Sequence, residues 1–274
     1  MTILVTFGFA LFLGTTRARA SLVLGFYNND RLFIGCDSMV AFSRDGQVTD
    51  KSPIPKIFPL TSNCCVTVVG AIGTRYNDVA SGKNTLVYYP QLLHGVLFST
   101  NAATLTLSDR MQNGIADFYA LYTNDVIKRT TIDASFKPKV TYITFWYYDE
   151  SVSTFGSKTY IFQGTNQVRI EMPFQRGKTN TGGTISYQGE INFFTSLLCD
   201  PAFLSLRSRG LDTTLMLVGE EVPTSADRIV VAMEEIFELH RKHAAKMSGE
   251  KGLVGPPYIV IPLGRTKAIS QKPK

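Results

Sequence analysis

The 274-residue chain is 44% apolar and 18% charged with a net charge of +6, enough apolar material for a sizeable core and too little charge for a disordered chain. No apolar run reaches the length of a membrane span, and Lys and Arg do not form a stripe interleaved with aromatics, so neither a stable membrane span nor a nucleic-acid surface is expected. One α/β domain is expected over residues 21–264, followed by a basic tail from Arg265 to Lys274, with no internal repeat and no linker.

Ile3 to Gly14 is an almost unbroken apolar segment of signal-core length, and Ala18-Arg19-Ala20 then places small residues where a signal peptidase cuts. This predicts a removable leader over residues 1–20 and a mature chain that begins at Ser21. Arg17 and Arg19 leave with the leader, so the net charge falls from +6 to +4. The leader lacks a Lys or Arg before its apolar core, and the alternative is a first strand in a chain that starts in the cytoplasm. Cleavage would send the protein to the periplasm or the exterior; without cleavage it is cytoplasmic.

Leu22 to Phe26 and Leu32 to Cys36 are short apolar runs flanking Tyr27-Asn28-Asn29-Asp30-Arg31, which predicts a hairpin of buried strands closed by Asp37-Ser38. A polar loop is expected from Ser43 to Pro55. An extended stretch follows at Lys56-Ile57-Phe58, then a buried strand from Cys64 to Val69 ending at Gly70. Thr74 to Thr100 has no clear period. Leu107, Met111, Ile115, Phe118 and Leu121 recur at helical spacing and predict a helix over Leu105–Tyr122.

Strands are expected at Thr141–Tyr148, Thr159–Gln163 and Val168–Met172, and a helix at Ile185–Leu198. The clearest helix runs from Ser225 to about Met247, with Thr224 and Asp227 as its cap and Ile229, Met233, Ile236, His240 and Met247 on one face. A last strand is expected at Tyr258–Leu263. This order suits a layered α/β sandwich more than a βαβ alternation.

The four cysteines, Cys36, Cys64, Cys65 and Cys199, form no CxxC motif and are expected as buried free thiols, with Cys64 and Cys65 on opposite strand faces; export would permit a disulfide. His240 and His243 lie three apart without the HExxH order or a third ligand. No GxxxxGK[ST] or GxGxxG motif occurs, so no cofactor is expected. Phe145-Trp146-Tyr147-Tyr148 is read as strand packing or an interface.

Four positions line up. Ser21 would head the mature chain, Asp37 ends the second strand sixteen residues on, Lys56 opens the next extended stretch, and Gly70 lies fourteen residues beyond it. Over Ser21 to about Gly73 this resembles the β-subunits of the proteasome and the wider N-terminal nucleophile hydrolases. The carrying text is Ser21-Leu-Val-Leu-Gly-Phe, Leu-Phe-Ile-Gly-Cys-Asp37-Ser38, Lys56-Ile57 and Val-Thr-Val-Val-Gly70. The resemblance implies a four-layer αββα sandwich of two mainly antiparallel sheets. It also implies cleavage of peptide or other amide bonds, and assembly into homo-oligomers.

In such a site the serine hydroxyl is activated by the chain's own α-amine, whose reference pKa of about 7.7–8.0 leaves part of it neutral near pH 7. Lys56 would favour the neutral amine, Asp37 would hold Lys56, and the Gly70 amide would donate to the oxyanion, a contribution on the order of 3 kcal/mol.

Each position also has a plainer reading: a small residue at a cleavage site, a turn cap, a loop cation and a backbone necessity. Gly14-Thr15-Thr16 resembles the junction where proteasome precursors cut themselves. A start at Thr15 would, however, place Arg17 and Arg19 in the first strand, so Ser21 is preferred. The Asp-x-x-Ser pair of active subunits has no match in Gly249–Gly255, and Tyr187-Gln188-Gly189-Glu190 stands where a Gly-Ser-Gly segment is expected. A catalytically silent assembly or binding subunit is therefore the second functional expectation.

Overall fold

The computed structural model describes residues 22–28, 31–44, 47–78, 83–134, 136–149, 154–173, 184–188, 226–248 and 255–264. Among them the chain is a mixed α+β protein with antiparallel sheets and three α-helices. The predicted leader, Ser21, Cys199 and the basic tail lie outside the described residues.

The first hairpin forms as its alternation of apolar runs and turn residues requires. β1 (Val23–Asn28) pairs antiparallel with β2 (Arg31–Asp37), with Val23 opposite Cys36. The expected polar loop at Ser43–Pro55 is instead mostly a second hairpin, β3 (Met39–Arg44) and β4 (Gln47–Pro53), with a bulge at Phe42/Ser43. Among the described residues it pairs only with itself, so its ladder needs no alternation of apolar residues.

β5 (Ile57–Thr61) and β6 (Cys64–Gly70) follow as expected. The unassigned stretch becomes a third hairpin, β7 (Gly73–Asp78) with β8 (Lys83–Tyr88), then α1 (Tyr89–Leu97), which admits Pro90 in its first turn. α2 (Leu107–Ile132) runs ten residues past the expected end. Thr106 caps it by accepting a hydrogen bond from the Asp109 amide at 3.2 Å.

β9 (Thr141–Asp149), β10 (Thr154–Gln163) and β11 (Asn166–Pro173) form a meander, each longer than expected. Ile185 lies in a strand, β12 (Thr184–Gln188), rather than in the expected helix. α3 (Ala226–Ser248) and β13 (Tyr258–Gly264) complete the order. Met233, Ile236 and His240 of the expected helix face are buried, together with Phe237.

Two main sheets result, with strand orders β12-β1-β2-β13 and β11-β10-β9-β6-β5. Alternation along β6 divides the core. Cys64, Val66 and Val68 pack with Leu93, Phe118 and Tyr122 of α1 and α2. Cys65 and Val69 pack instead with Ile34 and Cys36 of β2 and Leu263 of β13. The aromatic run of β9 obeys the same rule: Phe145 and Tyr147 lie on the helix side, Trp146 and Tyr148 on the side of the other sheet. Met233 and Phe237 of α3 lie over Gly35 of β2, where an added Cβ would stand 2.8 Å from Met233.

Candidate functional site

The strand alternation that buries β2 delivers Asp37 to its end with no exposed side-chain surface. A carboxylate there must be paired. Its Oδ2 accepts a hydrogen bond from the Lys56 ammonium at 2.8 Å, and Lys56 is equally buried. Its Oδ1 accepts from the Leu22 amide at 2.8 Å. The Met39 amide is a further donor to this carboxylate.

Burial pushes the Asp37 carboxyl above its ordinary range; Lys56 and the two amides pull the other way. Burial also raises the neighbouring Cys36 thiol well above its ordinary value, with Asp37 adding to the rise and Lys56 opposing it. That thiol is protonated and inert at neutral pH.

Backbone contacts hold the pair in place. The Asp37 amide donates to the Leu22 carbonyl at 3.2 Å, so the residue after Ser21 is bound to Asp37 twice. The Val68 amide donates to the Lys56 carbonyl at 2.8 Å, which aligns Lys56 with β6 two residues before Gly70. The Ile54 amide donates to the Ser38 carbonyl at 2.7 Å, joining the start of β3 to the segment that leads into Lys56.

Gly70 ends β6 with φ at +87°, a conformation that favours glycine, and a Cβ there would stand 2.4 Å from the Val140 carbonyl oxygen. The next amide, of Ala71, donates to that same carbonyl at 2.8 Å. The Tyr142 ring lies along Gly70.

Asp37 and Lys56 are thus in direct contact, Gly70 lies two residues along a strand aligned with Lys56, and Ser21 is outside the described residues next to the anchored Leu22. Sequence reasoning missed three participants. The Leu22 amide carries no side-chain signal. Ser38 takes part through its carbonyl, which accepts from the Ile54 amide and has no side-chain signal. Tyr258, opposite Asp37 in the β2–β13 ladder, donates from its hydroxyl to Glu238 at 2.6 Å, while Arg241 donates to the other Glu238 oxygen at 2.9 Å. Its ring stacks on Phe237 with centroids 5.0 Å apart. Burial, then Glu238, raises the Tyr258 phenol, which is therefore neutral and a donor.

Among the described residues, no group of three or more His, Cys, Asp and Glu is placed to hold a metal ion, and no helix is long and apolar enough to cross a membrane. The arrangement offers a desolvated cation, fixed by a carboxylate, at the head of β1.

No protein-family model matches the chain, and no curated protein matches it. Solved structures similar to it include an Anbu mutant from Hyphomicrobium sp. strain MC1, at 12% identity and TM-score 0.37, covering 88% of this chain and 80% of that one. Anbu from Yersinia bercovieri, described as an ancestral β-subunit, is similar at 11% identity and TM-score 0.40, covering 89% and 81%. Eukaryotic HslV from Trypanosoma brucei is similar at 11% identity and TM-score 0.38, covering 89% of this chain and 99% of that one.

Proposed function

We propose that this chain is an N-terminal nucleophile hydrolase with a proteasome-like four-layer αββα sandwich, and that it cleaves peptide or other amide bonds once Ser21 is exposed. The observation that carries this reading is the buried Lys56–Asp37 pair, with the second Asp37 oxygen anchoring the Leu22 amide. The pair fixes a positive charge beside the chain position that cleavage would turn into an amino terminus.

In this mechanism the α-amine of Ser21 takes the hydroxyl proton as Ser21 Oγ attacks the amide carbonyl. Lys56 disfavours protonation of that amine and stabilises the developing alkoxide. Asp37 holds Lys56 in place. The Gly70 amide donates to the oxyanion, and the amine returns its proton to the leaving nitrogen as the C–N bond breaks. Water then releases the acyl group from Ser21. The domain is residues 21–264. Cleavage of residues 1–20 as a signal would make the protein periplasmic or secreted, and assembly into a homo-oligomer follows from the family resemblance.

The second reading, a silent assembly or binding subunit, is favoured by the stretch Gly249–Gly255, which offers no Asp-x-x-Ser pair. Intact mass and hydrolysis of fluorogenic peptide amides separate the two. The hydrolase reading expects a mature chain starting at Ser21 and activity reduced at least about 100-fold in Ser21→Ala. Undiminished hydrolysis by that variant, or a purified protein that retains Met1, sinks the hydrolase reading. An exposed Ser21 with no turnover supports the silent subunit.

A further inference from the structure

The Val68 amide donates to the Lys56 carbonyl at 2.8 Å. Amides two apart in an antiparallel strand point to the same neighbour, so the Gly70 amide faces the side of Lys56 rather than β9. Its direction depends on how the next residues are held, because the chain turns out of β6 at Gly70 with φ at +87° and enters β7 at Gly73. The Ala71 amide donates to the Val140 carbonyl at 2.8 Å, and the Thr141 hydroxyl donates to the Ala71 carbonyl. The Tyr89 amide donates to the Ile72 carbonyl at 2.9 Å.

The remaining tie runs to the helix layer. Thr74 and Tyr89 both donate from their hydroxyls to one oxygen of Asp125 in α2, at 2.7 and 3.1 Å, and all three residues are buried. Burial, with Asp125 adding to it, holds the Tyr89 phenol well above its ordinary range, so it stays a donor. Hydrogen bonds to a carboxylate are among the strong ones. The second Asp125 oxygen is buried with no partner among the described residues, and an unpaired buried acceptor costs stability. A leucine at this position would avoid that cost but would release Thr74 and Tyr89.

We propose that Asp125 is a positioning residue: through Thr74 and Tyr89 it fixes the segment from Gly70 to Thr74 and so aims the Gly70 amide at the oxyanion. This rests on the proposed role of that amide. Asp125 itself touches no substrate and acts from the helix side of the sheet.

The test compares the full-length chain as it matures with Asp125→Leu, Asp125→Asn, Tyr89→Phe and Thr74→Val, using a fluorogenic peptide amide. Misplacing a reacting group by about 1 Å costs on the order of 100-fold. Asp125→Leu should therefore lower kcat at least about 10-fold and leave KM within about twofold, since the oxyanion forms only in the transition state. Tyr89→Phe and Thr74→Val each delete one hydroxyl and keep the packing. They should give falls of the same kind, about threefold each, and they carry the test if the leucine chain does not fold. Asp125→Asn, whose carbonyl oxygen accepts both hydroxyls, should recover most of the loss. Val126→Ala, a buried truncation at the next position of α2, controls for stability and should keep the parent kcat. Unchanged kcat in both Tyr89→Phe and Thr74→Val, or an equal fall in Val126→Ala, overturns the inference and leaves the proposed function standing. A parent chain without turnover overturns both.

Discussion

Replacing Lys56 with methionine removes one ammonium and keeps most of the side-chain volume, leaving the Asp37 carboxylate buried without its cation. Removing one partner of a buried ion pair costs about 3–5 kcal/mol, because the remaining charge has no compensation. Asp37 keeps the Leu22 and Met39 amides, so a cost near the lower end, about 3 kcal/mol, is expected. Asp37→Asn in the Lys56→Met background removes the stranded charge and should recover about 2 kcal/mol of that loss.

Urea unfolding of the four proteins in this cycle measures the coupling. Its pH dependence has a definite sign. Burial holds the folded Asp37 value above the ordinary 3.8, so its proton-linked contribution is complete below that value and is lost as pH rises through the folded one. Lys56 opposes burial, so its removal moves the folded value higher still. The stability gap between parent and Lys56→Met should therefore widen as pH rises above about 4. A Lys56→Met cost under about 1 kcal/mol, or strictly additive single variants, would match an exposed pair and refute the reasoning.

Gly70→Ala should destabilise the fold by at least about 1–3 kcal/mol, since it adds a side chain at φ +87° and drives a Cβ to 2.4 Å from the Val140 oxygen; an unchanged urea midpoint counts against that backbone. In a Cys199→Ser chain, Cys36, Cys64 and Cys65 should resist a thiol-specific disulfide reagent at about pH 8 until urea unfolds the protein. Burial pushes Cys64 up to about 12 and the other two thiols well above their ordinary values. Rapid labelling of the native chain would contradict their burial.

The elements most legible in the sequence are those whose residues lie between two packed layers. β2, β6 and β9 read as apolar runs because residues on both of their faces are buried, and Cys64 and Cys65 divide between the two core regions as strand alternation requires. The β3–β4 and β7–β8 hairpins were not legible. Among the described residues each pairs only with itself, and such a ladder can be built from Asp, Ser, Lys and Asn.

The end of α2 was obscured differently. Beyond Tyr122 a buried position is filled by Asp125, whose carboxylate accepts hydrogen bonds from Thr74 at 2.7 Å and Tyr89 at 3.1 Å, and this breaks the apolar period while the helix continues. Ile185 belonged to an apolar run that suits either a helix or a strand; pairing with Phe26 of β1 decides for the strand.

The same distinction governs the site. Asp37 and Lys56 are separated by nineteen positions that include a self-contained hairpin, so the length of that insertion has little bearing on whether they meet. What brings them together is strand ends: Asp37 closes β2, and Lys56 is aligned by its carbonyl with Val68 of β6. A charged residue at the end of a buried strand is readable because it interrupts an apolar run. Its partner is readable only as another such interruption. The Leu22 amide leaves no such mark, since it belongs to the backbone. Its importance depends on register, because a one-residue slip of β1 on β2 would separate Leu22 from Asp37. The chemistry proposed for Ser21 is therefore a property of that ladder as much as of the residues themselves.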